Sequence, residues 1–485
     1  MNADKQQKRA GGESRWQRWS KRMGGAVCLM GLLAGTPACS DDPHESGQQE
    51  DNGPYRVMVI SDLHLFDMDR IGHEGEAWEK RLAIEDKNYT YCAAIMEELT
   101  RRVKEQQVRY VVVPGDLTKD GEVINHEFAA ACFKAMEEAG AQVFVINGNH
   151  DLSNAAAKTF TPEGEFPIET ATSADFLRIY HDYGYDHALS QEAGGLSYSA
   201  DLGKDIRLIL MDSNIYNDSK TAPHQETKGT LKASTLEWAK AQCAEALKAG
   251  RVPVGVLHHG LVEHIPGIQS VWLPEYLADN YVEAREALAA AGMHIVLTGH
   301  QHMQDIASVD VQGAPFYDIQ TGSIVSLAPL RYLDVHPETR TLQITSSVVS
   351  QLPGGVDVSA VLEKTCSEGT HYYFRTLFTQ FLQSQGLTEQ GVEEILKGFT
   401  QFPIVEGYSI VDAMTSAFMI ARKGDEQQEP HTPAVCAALQ SFVEFFSQMG
   451  EGYEKRVQRF QMAERLYAGF YVDSPSADNS LEIAY

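Results

Sequence analysis

The chain has 485 residues, is 43% hydrophobic and 22% charged, and carries a formal net charge of -27. That length can bury a large core in two or three domains, and the acidic balance disfavours binding to a nucleic-acid duplex or to an anionic lipid surface. A phosphate substrate is not excluded, because bound cations can invert the local field.

Residues 1–22 hold seven basic residues (Lys5, Lys8, Arg9, Arg15, Arg18, Lys21, Arg22) against Asp4 and Glu13. An apolar, Gly-rich run follows from Met23 to Ala38 and ends at Cys39. A basic segment, a short apolar segment and small residues before a cut mark a secretory signal. The run is 16 residues, short of the ~20 that a membrane span needs. Thr36-Pro37-Ala38-Cys39 resembles a bacterial lipobox, with Cys39 the lipidated first residue. Thr36 and Pro37 depart from the usual lipobox residues, and the alternatives are ordinary cleavage after Ala38 or an uncleaved anchor. The expectation is therefore a signal peptide at 1–38 and an extracytoplasmic, membrane-anchored lipoprotein, otherwise a secreted or periplasmic protein, touching the membrane only through its lipid. Residues 39–54 are polar and acidic and read as a flexible tether.

From Tyr55 to about Gln351, strand-like and helix-like segments alternate. Strands are expected at 57–61, 109–114, 142–147, 206–212, 252–258 and 294–299, with helices near 85–106, 125–139, 231–248 and 281–291. Segments near 303–311 and 315–320 suggest a closing meander, followed by 341–349. This alternation predicts a mixed sheet with helices outside it. Residues 152–205 lack regular patterning and are rich in Tyr, His and Asp; they read either as a loop set shaping a substrate pocket or as an insertion packing its aromatics. Pro353-Gly354-Gly355 marks a plausible boundary, which divides the chain into residues 55–352 and a helical domain over 353–485. In the latter, Phe374, Leu377, Phe378, Phe381 and Leu382 keep helical spacing, as Val435, Leu439, Phe442, Val443 and Phe446 largely do; such stripes are core faces. The residues from Asp473 onward read as a tail. With Cys28 and Cys39 set aside, five widely spaced cysteines remain, and they suggest neither a disulfide framework nor a cysteine metal site.

The chemistry is concentrated where apolar, β-rich runs end. Val57–Ile60 leads to Asp62-Leu63-His64, Tyr110–Val113 to Gly115-Asp116, and Val143–Ile146 to Gly148-Asn149-His150-Asp151. Val254–Leu257 leads to His258-His259-Gly260, and Ile295–Thr298 to Gly299-His300-Gln301-His302. Ligands bind at the carboxyl ends of strands in open α/β sheets. Carboxylate and imidazole together suit Zn, Mn or Fe. A buried acid such as Asp116 must be paired or bind a metal, and two imidazoles two positions apart can ligate from one extended segment. Asp67 is a further acid near the first motif. A single histidine taken alone is better explained as a hydrogen-bonded core or surface residue; five strand ends in order argue for one shared metal centre.

These residues in this order resemble the calcineurin-like metallophosphoesterase superfamily over about residues 55–325. The resemblance implies a four-layer α/β/β/α sandwich carrying two divalent or transition metal ions (Mn, Fe or Zn). It implies that Asp62, His64, Asp116 and His302 hold one metal, and that Asp116 bridges to a second held by Asn149, His258 and His300. His258 is taken as the ligand and His259 as a residue behind it. His150 matches the family's proton donor or phosphate-orienting histidine, with Asp151 behind it as orienting partner; Asp67 and Asp120 have no assigned role. Two metals about 3.5–4 Å apart make hydroxide available near neutral pH for in-line attack on phosphorus, and His150 could protonate the leaving oxygen. Leu210-Met211-Asp212-Ser213, Leu236-Glu237-Trp238 and Gly115-Asp116-Leu117-Thr118 look most like the cyclic-nucleotide phosphodiesterase-like branch. The expected function is a phosphodiesterase acting on a small-molecule or lipid-headgroup ester outside the cytoplasm. The alternatives are a phosphomonoesterase or nucleotidase using the same site, and a non-catalytic surface binding protein. No P-loop pattern is present, which argues against an NTPase.

Overall fold

The computed structural model describes residues 53–218, 226–267, 269–384, 386, 388–393, 410–424, 432–450, 452, 454–470, 474–475 and 477–485. The signal segment, Cys39 and nearly all of the expected tether lie outside them.

Two sheets carry the architecture. The first contains β1 (Tyr55–Val59), β2 (Val108–Pro114), β3 (Gln142–Ile146), β13 (Pro329–His336), β14 (Thr341–Val348) and β17 (Ser480–Ala484), in the order β17-β14-β13-β1-β2-β3. The second runs β11 (Ile306–Val311), β12 (Ala314–Gln320), β10 (Ile295–Thr298), β9 (Val252–Val256), β8 (Ile206–Leu210), β7 (Tyr198–Leu202), β6 (Ser190–Gln191). Within them β1-β2-β3 and β8-β9-β10-β12 are parallel. Parallel strands are covered on both faces, which is why their sequences are nearly unbroken apolar runs.

The period of two sorts these side chains into two cores. Leu208, Leu210, Val254, Val256, Ile295 and Leu297 face the first sheet and pack with Val57, Val59 and Val112. Ile209, Met211, Leu257 and Val296 point the other way, onto Leu236, Ala239 and Cys243 of helix Ala233–Lys248 and Leu288 of helix Tyr281–Ala290. On the first sheet's outer face lie helices Cys92–Glu105 and Val123–Glu138. The result is the expected four-layer α/β/β/α sandwich, and each fully buried Val, Leu or Ile in it contributes roughly 1.5–3 kcal/mol.

Three expectations change. Residues 152–205 contain a hairpin of β4 (Lys158–Thr161) and β5 (Gly164–Pro167), helix Ser173–Ile179, and β6 and β7. Tyr180, Tyr183 and Tyr198 of this stretch are buried with Phe133 and Phe176, so these aromatics pack on the domain. The unexpected strand β13 pairs antiparallel with both β1 and β14. A short hairpin of β15 (Gln351–Leu352) and β16 (Val356–Asp357) follows β14, and the expected tail is in part the edge strand β17, antiparallel to β14 with Leu342 opposite Ile483.

Helices Ser359–Ser384, Ile410–Ala421, Thr432–Gln448 and Glu454–Gly469 form the C-terminal helical region. Phe374, Val435 and Leu439 of the predicted stripes are buried there; the side chains of Phe381, Phe442 and Phe446 lie outside the described residues. Ile265, Leu273 and Met303 from loops of the sandwich share that core with Met414 and Phe418. No helix among the described residues is long and apolar enough to cross a membrane. Cys92, Cys132, Cys243, Cys366 and Cys436 are free thiols, the first four buried.

Candidate metal centre

The strand ends of the two sheets bring the seven candidate ligands together. Three triads, Asp62–His64–His302, His64–Asp116–His150 and Asp116–His258–His300, each have ligand atoms within 4.8 Å of one another. Asn149 joins through Oδ1, 3.1 Å from His258 Nε2. Asp116 is common to two triads, and its Oδ2 lies 3.3 Å from His258 Nε2 and 3.5 Å from His64 Nε2.

Backbone conformation aims the ligands. Asp62, His64, Asp116, His300 and His302 all have positive φ, between 38° and 76°. Asp and His tolerate this left-handed region better than most residues, and such strain collects at functional sites. Two motif glycines leave the space required. A Cβ on Gly299 would lie 2.1 Å from Ser61 Oγ and 2.5 Å from Asp62 Oδ2, and one on Gly148 would lie 2.2 Å from Asp116 Oδ1.

The donor set fits cations. His258 Nδ1 lies 2.9 Å from the Pro114 carbonyl and can only donate to it. Its Nε2 lone pair then converges with Asn149 Oδ1 and Asp116 Oδ2. On the other side, Nε2 of His64 and Nε2 of His302 face each other at 3.1 Å, with Asp62 Oδ1 3.3 Å from the latter. Converging lone pairs repel unless a proton or a metal ion lies among them. The electrostatics agree. Burial holds the His64 and His300 imidazoles well below their ordinary pKa, helped by Lys87 at the first and by His259 and His258 at the second. Burial works against His258 as a cation, yet the Asp116 carboxylate, followed by Asp62, raises it to about 9. Asp116 itself is held well below the carboxylate range, because His258 and His150 outweigh its burial. His300 Nε2 donates to the Glu275 carbonyl at 3.0 Å, leaving Nδ1 as its ligand atom.

His259 is excluded as a ligand. Its Nε2 donates to the Thr227 carbonyl at 3.0 Å, so Nδ1 accepts from the Ser213 hydroxyl at 2.8 Å. Asp67 joins none of these triads and instead accepts from Arg70 Nε at 2.6 Å and from the amides of Asp69 and Arg70.

His150 stands at the edge of the centre, its ring centroid 4.8 Å from that of His64. The expected partner Asp151 does not hold its ring. Asp151 accepts from the amides of Leu117, Thr118 and Gly148 and from the Thr118 hydroxyl, and so ties two ligand loops together. The ring belongs to Asp120, whose Oδ1 lies 3.0 Å from Nδ1, and to the Lys119 carbonyl at 2.8 Å. With Nδ1 donating to two oxygens, Nε2 is left for the site. Asp120 also pairs with buried Lys119. Burial disfavours His150 as a cation, but Asp116 and Asp120 together raise its pKa. Asp120 stands four residues past Asp116 on the same loop, a spacing that by itself does not single it out over Asp151.

Residues 55–304 match the calcineurin-like phosphoesterase family. The chain belongs to that family, and its class is that of metal-dependent hydrolases acting on phosphoric esters, whose centres are dinuclear. No curated protein matches the sequence. Among solved structures the chain is similar to a dimetal phosphatase from Danio rerio (14% identity, TM-score 0.41, 61% of this chain and 96% of that one). It is also similar to a purple acid phosphatase from yellow lupin, Lupinus luteus, seeds (12%, 0.40, 64% and 53%). A third is GAP50, the anchor in the inner membrane complex of Plasmodium (10%, 0.32, 63% and 87%).

Proposed function

We propose that this chain hydrolyses phosphodiester bonds of small molecules or lipid headgroups outside the cytoplasm, tethered through Cys39 as a lipoprotein. The observation that carries the hydrolytic reading is the convergence of His64, His302, Asp62, Asp116, His258 and Asn149 lone pairs at the strand ends. The location rests on the basic and apolar segments before Cys39.

Asp62, His64, Asp116 and His302 would hold one ion, and Asp116, Asn149, His258 and His300 the other, with Mn, Fe or Zn suited to these donors. Bound ions would supply an acidified water and neutralise charge on the phosphoryl oxygens. His150 contributes the protein's own proton chemistry. Asp120 keeps Nδ1 protonated and stabilises the imidazolium, so Nε2–H can be given to the leaving oxygen. Asp151 fixes the backbone just after Asp116 and just before Asn149, and so holds these two candidate ligand loops in register.

The test compares turnover of bis-p-nitrophenyl phosphate with that of p-nitrophenyl phosphate, using protein stripped by chelation and reloaded with Mn²⁺ or Zn²⁺. Diester turnover that requires metal and exceeds monoester turnover is expected. Faster monoester hydrolysis would assign a phosphomonoesterase, and no metal-dependent turnover above an Asp116→Asn control would remove the hydrolytic reading.

A further inference from the structure

The helical region after Ser359 approaches the metal centre through Arg422. Arg422, just beyond helix Ile410–Ala421, is only 7% exposed at its side chain. Its Nη2 lies 2.5 Å from Asp86 Oδ2, and its Nη1 lies 2.8 Å from Cys366 Sγ in helix Ser359–Ser384. The same Asp86 Oδ2 lies 3.7 Å from Nδ1 of His302. That is the nitrogen on the far side of the ring from Nε2, which faces His64 and Asp62.

The helical region grips both partners of this contact by other means. A Cβ on Gly369 of helix Ser359–Ser384 would lie 2.5 Å from the Asp86 amide nitrogen, so helix and backbone are already in contact there. Asn88 Nδ2 donates to Thr365 Oγ1 at 3.3 Å. On the ligand loop, the Gln304 amide donates to the Ala421 carbonyl at 3.2 Å. Tyr276, whose ring lies 4.9 Å from that of His300, packs against the helical core alongside Tyr373.

A ligating imidazole needs its second nitrogen fixed, because that bond sets ring orientation and raises the basicity of the ligating atom. A carboxylate does this best when it is itself ionised and immobile. Arg422 supplies both conditions, because its buried guanidinium faces Asp86 Oδ2 at 2.5 Å and is itself held by Cys366 Sγ. The 3.7 Å separation is longer than a hydrogen bond but within ion-pair range.

We propose that Arg422 and Asp86 are positioning residues for the ligand His302, so that the C-terminal helical region is a structural part of the metal centre rather than an appendage. This rests on the dinuclear reading above.

The test is metal binding, measured on the full chain by equilibrium titration of the stripped protein with Zn²⁺ and by the visible spectrum of the Co²⁺-loaded form. Asp86→Asn and Arg422→Met should each weaken one of the two ions about 10–100-fold and change the Co²⁺ spectrum. Because both act through one contact, the double variant should bind no more weakly than Asp86→Asn alone. Lys423→Ala, which breaks the 2.6 Å pair with Glu363 inside the helical region without touching Asp86, should bind as the parent does. Parent-like affinity in the first two variants, additive losses in the double variant, or an equal loss in Lys423→Ala would overturn the proposal. If Arg422→Met does not fold, Arg422→Lys replaces it: weakened binding that is again no worse in combination with Asp86→Asn supports the relay, and parent-like binding overturns it. Failure of the parent chain to bind two ions would instead remove the dinuclear reading itself.

Discussion

Asp120 Oδ1 lies 3.0 Å from Nδ1 of His150, so the histidine at the rim of the centre carries its carboxylate partner from the Asp116 loop. Asp120 is one of the two groups that raise the His150 pKa. Its neutral replacement, Asp120→Asn, should therefore lower that pKa and move the alkaline limb of the pH–rate profile to lower pH. Metal content should stay at the parent level. A profile whose alkaline limb does not move would dissociate Asp120 from the titrating group.

His150→Gln removes the proposed proton donor while leaving all seven candidate ligands in place. The rate should fall about 10²–10⁴-fold for esters of poor leaving groups. The loss should be much smaller for p-nitrophenyl esters, whose leaving oxygen departs without a proton. Rates across a series of aryl esters read this directly, and a loss independent of leaving group would assign His150 to phosphate orientation alone.

Gly299→Ala places a methyl group against Ser61 Oγ and Asp62 Oδ2. Overpacking of this kind typically costs about 1–3 kcal/mol, and here the atom displaced belongs to a ligand. Thermal unfolding should show a lowered midpoint, and elemental analysis should show less than the parent's metal content. Parent-like values in both would mean that the Ser61–Asp62 turn yields freely.

Glu122 is buried and accepts from the Asp120 amide and from Asn125 Nδ2. Burial, and then the neighbouring Asp120 charge, push it up to about 7. Its folded pKa exceeds the unfolded value near 4.3, so the folded state holds the proton more tightly. The stability this contributes is fully present below the unfolded pKa and is lost as pH rises through about 7. Over that window it amounts to at most about 4 kcal/mol. Glu122→Gln should flatten the fall of unfolding free energy with pH in denaturant titrations between about pH 4.5 and 7. An unchanged slope would place the coupling elsewhere.

What was legible in the sequence follows from physics that is local in the chain. β2, β9 and β10 show as apolar runs because both their faces are covered, and the ligands stand out because Asp and His rarely interrupt such runs. β13 escaped notice because the buried Arg331 breaks its pattern; the guanidinium is satisfied by the Gln320 carbonyl, Ser346 Oγ and the Asp478 carbonyl, partners outside its own strand. β17 escaped because an edge strand buries little, and of its five residues Ile483 alone is buried. The seven candidate ligands could be named from their motifs, but their supports could not. Asp120 and Asp151 both follow a ligand loop closely, and nothing in their spacing tells which one meets the imidazole. The contact of Asp86 with His302, and of Arg422 with Asp86, exists only once the helices have docked.

The left-handed backbone at Asp62, His64, Asp116, His300 and His302 limits how this centre could be re-engineered for another metal. Exchanging a donor is a choice of side chain and also of a residue that will sit at positive φ. Asn, Asp and His meet that condition more readily than longer or β-branched residues. Swaps among those three should preserve the cage, whereas Glu or Cys at the same positions would have to lift the ligand loop off its strand end before offering an oxygen or a sulfur.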